Sequence, residues 1–65
     1  MRFRGKTAIL TGAAGGISRA AANVMSREGA RIVAIDIDVS GLASLAEEIG
    51  TEGGEVTTLE IDVMD

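Results

Sequence analysis

Thr11-Gly12-Ala13-Ala14-Gly15-Gly16-Ile17-Ser18-Arg19-Ala20 is the stretch that decides how this chain of 65 residues is read. Three glycines within five positions break the apolar run before them and make a turn. Upstream, Lys6-Thr7-Ala8-Ile9-Leu10-Thr11 is short and rich in β-branched residues, and its apolar positions do not alternate. That pattern predicts a strand covered on both faces. Downstream the period changes to that of a helix. Ile17, Ala20 or Ala21, Val24 and Met25 recur at helical spacing, with Arg19, Asn23 and Arg27 on the other side. Gly29 stands where a left-handed helix end is expected.

The same sequence of elements then repeats. Arg31-Ile32-Val33-Ala34-Ile35-Asp36 reads as a second continuous apolar strand. Asp38 or Ser40 caps a second helix with Leu42, Leu45 and Ile49 on its buried stripe and Gly50 at its end. After the turn at Gly53-Gly54, residues 56–63 form a third strand. Its alternation of Leu59, Ile61 and Val63 with Thr58, Glu60 and Asp62 marks a wetter face and a place at the sheet edge. The order β-α-β-α-β with short connections predicts a parallel sheet with right-handed crossovers. In the strand order 3-2-1 both helices fall on one face, leaving the other face and the outer edge of the first strand bare. Isolated domains avoid such surfaces. The chain is therefore expected to be part of a larger fold, or to need a partner.

Composition excludes several function classes. There is no Cys and no His, so thiolate metal sites, disulfides and histidine chemistry are absent. Phe3 is the only aromatic residue, which leaves no stacking platform for single-stranded nucleic acid. The net charge of −4 disfavours nucleic acid and anionic membranes as partners. All six basic residues lie within the first 31 positions, and nine of the ten acids follow from Asp36 onward. No apolar run reaches the ~20 residues of a membrane span and no signal-peptide core follows Met1, so a cytoplasmic location is expected.

The chemistry sits in the glycine turn. A strand entering such a turn, which in turn opens a helix, brings backbone N–H groups to a helix N-terminus, a seat for a pyrophosphate. Asp36 closes the next strand, 24 residues after Gly12, near the offset at which an acid accepts hydrogen bonds from an adenosine ribose. The Walker loop is excluded because Ile17-Ser18 follows Gly16 where Lys is required. The G-x-G-x-x-G fingerprint is excluded because Ala13-Ala14 follows Gly12.

The segment resembles T-G-x-x-x-G-x-G, the cofactor loop of the short-chain dehydrogenase/reductase family. Thr11, Gly12 and Gly16 match, and Gly15 followed by Gly16-Ile17 is typical of it. Glu28-Gly29-Ala30-Arg31-Ile32-Val33 resembles the family's turn into its second strand, and Asp62-Val63 its adenine-contacting pair. The resemblance implies an α/β, Rossmann-type fold whose first half, a three-stranded β-α-β-α-β sheet, is residues 1–65, a partial NAD(P)-binding domain. It implies an NAD(P)-dependent oxidoreductase that interconverts an alcohol and a ketone. The cofactor-binding residues are then Thr11, Gly12, Gly15, Gly16, Ile17, Asp36, Asp62 and Val63. Asp36 favours NAD over NADP, because a carboxylate repels a 2′-phosphate. A homo-oligomer, or the rest of the fold, is the implied cover for the bare face.

The chain departs from the family pattern twice. Ser18 replaces the third glycine, so crowding between helix and strand is expected ahead of a hydroxyl–phosphate bond. No segment matches the catalytic Ser or the Tyr-x-x-x-Lys pair, so this chain alone is expected to be inactive. The competing class is a non-catalytic nucleotide-binding or interaction module. Further expectations concern single residues. Arg19 lies on the exposed helix face, Thr11 braces the loop by hydrogen bonding, and Met25 fills a gap. Ile17, Val24, Leu42, Leu45 and Ile49 pack in the core.

Overall fold

The computed structural model describes residues 4–61. Strand β1 (Thr7–Thr11) leads through the glycine turn into α1 (Gly16–Arg27). Strand β2 (Arg31–Asp36), α2 (Val39–Thr51) and β3 (Val56–Glu60) follow. The three strands are parallel in the order β1-β2-β3. Thr7 faces Arg31 and Ile32 faces Val56, so each β-α unit advances the register by the same 24 residues. The third strand is shorter than expected, and Asp62 and Val63 lie outside the described residues.

The core lies on one side of the sheet. Ile32 and Ala34 of β2 are buried against Ala22 of α1 and against Leu42, Leu45 and Ile49 of α2. Ala8, Leu10, Met25 and Val56 pack around them. Both helices therefore cover the same face, as the crossover rule requires. The other face carries Ile9, Val33, Ile35 and Leu59, which are register neighbours. Ile9 is 66% exposed and Leu59 39%.

Helix α1 is rotated from its expected setting. Ile17 is 90% exposed and Val24 54%, while the buried residue is Ala22. The stripe picked out by the largest apolar side chains lies about half a turn from the packed one, since helical residues advance about 100° each. Alanines at 8, 22 and 34 let α1 approach the sheet closely, and larger side chains there could not fit without repacking. The second helix keeps the expected stripe, but it runs on through Gly50 to Thr51. The turn that ends it is at Gly53, with φ +81°, where the Gly54 amide reaches the Ile49 carbonyl. Gly29, with φ +97°, ends α1 in the same way, with the Ala30 amide on the Met25 carbonyl. Asp38, not Ser40, caps α2 by accepting from the Gly41 amide.

Arg19 lies on the surface of α1 but is held against α2. It pairs with Glu48 and donates to the Ser44 hydroxyl at 2.7 Å, while Asn23 donates to Glu48 at 3.1 Å. Arg27 pairs with Glu52, and Arg31 with Glu55. The bonds of Arg19, Asn23 and Arg27 make a polar seam between α1 and the second helix with its C-cap, Glu52. Among the described residues, three early bases meet three late acids, because side-by-side β-α units bring them together.

Two outcomes follow from this packing. Ile32→Ala removes a wholly buried side chain and is expected to cost about 2–5 kcal/mol, whereas Val24→Ala should leave urea denaturation of this chain nearly unchanged. In addition, hydrogen bonds from Arg19, then from Asn23, hold the Glu48 carboxyl below its ordinary value. The folded chain then binds fewer protons there than the unfolded one. This contribution to stability is present above the ordinary carboxylate range and is lost as pH falls through and below about 4.5. Melting of Glu48→Gln should vary less with acid than melting of the unchanged chain.

Candidate functional site

The constant strand register places the glycine turn beside Asp36. Thr11 is paired with Ile35, so the residues leaving β1 emerge next to those leaving β2. The Ala13 amide donates to the Ile35 carbonyl at 3.2 Å, which carries the pairing one step into the turn. Gly12 has φ +63°, a conformation that a side chain would strain. The Gly15 amide returns to the Gly12 carbonyl at 3.0 Å and closes the loop.

Helix α1 starts without a side-chain cap. Gly15 is its extended N-cap residue, and the first helical bond runs from the Arg19 amide to the Gly15 carbonyl at 2.8 Å. Among the described residues, the amides of Gly16, Ile17 and Ser18 have no partner. Three unpaired donors at the positive end of a helix dipole can receive an anion.

Gly16 separates structural need from a need for space. Its φ is not in the left-handed region, and a Cβ there would meet no atom within 4 Å. Nothing in the described fold calls for glycine here, although alanine favours a helix by about 1 kcal/mol. The space that a Cβ at Gly16 would occupy is open.

Ser18 is partly buried, and its hydroxyl lies 3.4 Å from the Thr11 carbonyl, directed back to the strand end. The side chain spans the gap between α1 and β1. Among the described residues, the Thr11 contact made across this gap uses its carbonyl and not its hydroxyl. Ile17 is exposed beside the unpaired amides, away from the core in which it was expected.

The Asp36 carboxylate accepts from the Ala14 amide at 2.9 Å and from the Asp38 amide at 3.0 Å. These bonds, the one from Asp38 foremost, hold its carboxyl below the ordinary value and keep it ionised at neutral pH. A carboxylate offers about four acceptor positions, so capacity remains for a further donor. The first turn of α2 closes the other side of the loop. A Cβ on Gly41 would stand 2.5 Å from the Ala14 Cβ.

A concavity of about 580 Å³ lies elsewhere, between α1 and α2, where Ala20, Val24, Arg27 and Glu48 are among the residues lining it. It is separate from the glycine loop and coincides with the polar seam. Among the described residues, no group of three or more acids could hold a metal, and no helix is long and apolar enough to cross a membrane.

Comparison with known proteins agrees with this geometry. Residues 6–65 match the family model described as short chain dehydrogenase. D-threitol dehydrogenase of Mycolicibacterium smegmatis is 41% identical over 64 residues, which are 98% of this chain and 25% of that protein. The crystal structure of NAD+-bound xylitol dehydrogenase superposes with a TM-score of 0.92 at 30% identity, covering 97% of this chain and 24% of that one. A metagenomic short-chain oxidoreductase in complex with NADP gives 0.91 at 35% identity, covering 97% and 28%. The chain spans about a quarter of the length of these relatives. With the glycine turn, the parallel register and the family model in agreement over nearly all of its residues, the chain belongs to the short-chain dehydrogenase/reductase family.

Proposed function

We propose that residues 1–65 hold the adenosine and diphosphate of a nicotinamide dinucleotide, as part of the cofactor-binding domain of an oxidoreductase that interconverts an alcohol and a ketone. The observation that carries this reading is the set of unpaired amides at Gly16–Ser18, open to the side where Gly16 leaves room, one strand away from the ionised Asp36. Of the related structures, the xylitol dehydrogenase is bound to NAD+ and the metagenomic oxidoreductase is in complex with NADP. The bound dinucleotide supplies the hydride carrier.

Each residue then has a separate task. Thr11, Gly12 and Gly15 give the loop its shape, and Gly16, Ile17 and Ser18 donate amides to the diphosphate. The Ile17 side chain, exposed at the mouth of the seat, lies against the dinucleotide. Asp36 accepts from the ribose hydroxyls with its remaining lone pairs. Its charge opposes a 2′-phosphate, which makes NAD the preferred cofactor. Asp62 and Val63 contact the adenine. This sequence contains no Tyr, so the proton donor to the substrate oxygen comes from elsewhere in the whole protein. The rest of the fold or a second copy covers Ile9, Val33, Ile35 and Leu59, and the protein works in the cytoplasm.

Titration of the chain with both dinucleotides, followed by chemical shifts or calorimetry, tests this reading. NAD is expected to bind more tightly than NADP, and Gly16→Ala to weaken NAD by at least about tenfold, equivalent to roughly 1.4 kcal/mol. That variant should melt no lower than the unchanged chain, because alanine is the better helix former. Tighter binding of NADP than of NAD would reject the ribose assignment. Full NAD affinity in Gly16→Ala would reject the diphosphate seat.

A further inference from the structure

The two donors on Asp36 come from both sides of it in sequence. Ala14, 22 residues earlier, donates to Oδ2, and Asp38, two residues later, donates to Oδ1. Neither bond involves a ligand. Ala14 stands between Gly12, whose φ is positive, and Gly15, which turns into the helix. The neighbouring loop amides are held by backbone carbonyls, Ala13 by Ile35 and Gly15 by Gly12. Ala14 alone is held by a side chain. Its bond to Asp36 adds a side-chain tie to β2 beyond the Ala13–Ile35 backbone bond, and Gly41 in the first turn of α2 leaves room for Ala14.

We propose that Asp36 is a positioning residue for the glycine loop: through Ala14 it holds the amides of Gly16–Ser18 in the shape that receives a diphosphate, whatever its contact with the ribose. The proposal rests on the reading of that loop as the diphosphate seat. Two convergent N–H donors need two acceptor oxygens on one short side chain. Aspartate meets this requirement, whereas asparagine brings a single acceptor and sets an NH2 group against the other amide. Cofactor choice and loop order are then coupled in one residue. A substitution of Asp36 that removes both side-chain acceptors removes the charge that opposes a 2′-phosphate and releases Ala14 together.

The two roles predict opposite signs for a ligand without a ribose. Removing a negative charge near an anion seat should strengthen binding of inorganic pyrophosphate. Loosening the loop should weaken it. Nuclear magnetic resonance of the chain reads both the pyrophosphate titration and the exchange of individual amides. In Asp36→Ala, the Ala14 amide is expected to exchange at least about tenfold faster relative to Ile32 and Leu45, and pyrophosphate to bind more weakly. Glu60→Gln is the charge control. It removes a carboxylate from the register partner of Asp36, and Ala14 exchange should stay unchanged. If Asp36→Ala unfolds, Asp36→Asn serves, and one of the Ala14 and Asp38 amides should lose protection while the other keeps it.

Unchanged Ala14 exchange, with pyrophosphate binding equal or tighter and only NAD weakened, would overturn the proposal and leave the cofactor reading intact. Binding of neither pyrophosphate nor NAD to the unchanged chain would reject that reading, and the exchange rates alone would then decide whether Asp36 holds the loop.

Discussion

The pairing of β1 with β2 at a constant offset of 24 residues is the constraint from which the site follows. It sets Thr11 against Ile35, so the glycine turn and Asp36 leave the sheet side by side at its carboxyl end. A slip of one residue would turn Ile32 and Ala34 away from the helices and carry Asp36 to the other face, since side chains alternate along a strand. The register is fixed by the same buried residues that make the core. Packing and site geometry are thus one specification, made by Ala8, Leu10, Ile32 and Ala34.

The helices divide the remaining work unequally. Helix α2 is anchored by Leu42, Leu45 and Ile49, which are buried. Helix α1 is held by Ala22, by Met25 and by polar bonds from Arg19 and Asn23 to α2. Exposed ion pairs contribute little each, so the seam orients α1 more than it stabilises the fold. That orientation matters because the first turn of α1 supplies the unpaired amides.

Much of this was legible in the sequence. The apolar runs at 6–11 and 31–36, the glycine punctuation and the β-α-β-α-β order led to the observed parallel sheet, with both helices on one face. Glycine at 12 was legible because its turn needs a positive φ. What misled was the phase of α1. In an alanine-rich helix the period is carried by few large side chains, and Ile17 and Val24 mark a face that points away from the core. Close packing chose the alanines instead, on the strength of small residues facing them in the sheet. The pairing of Arg19 was not legible because its partner, Glu48, is 29 residues away. Gly50 lies inside α2, which ends at Thr51 ahead of the turn at Gly53, since a glycine signals an end only through its backbone angle. The pair of hydrogen bonds that Asp36 accepts left no pattern in the sequence, being a matter of where two amides converge.

The most direct test is a chemical-shift map of the chain on addition of NAD. The account predicts changes concentrated at Gly16, Ile17, Ser18 and Asp36, at the carboxyl end of the sheet. Changes confined to the groove between α1 and α2, or no changes at all, would contradict it.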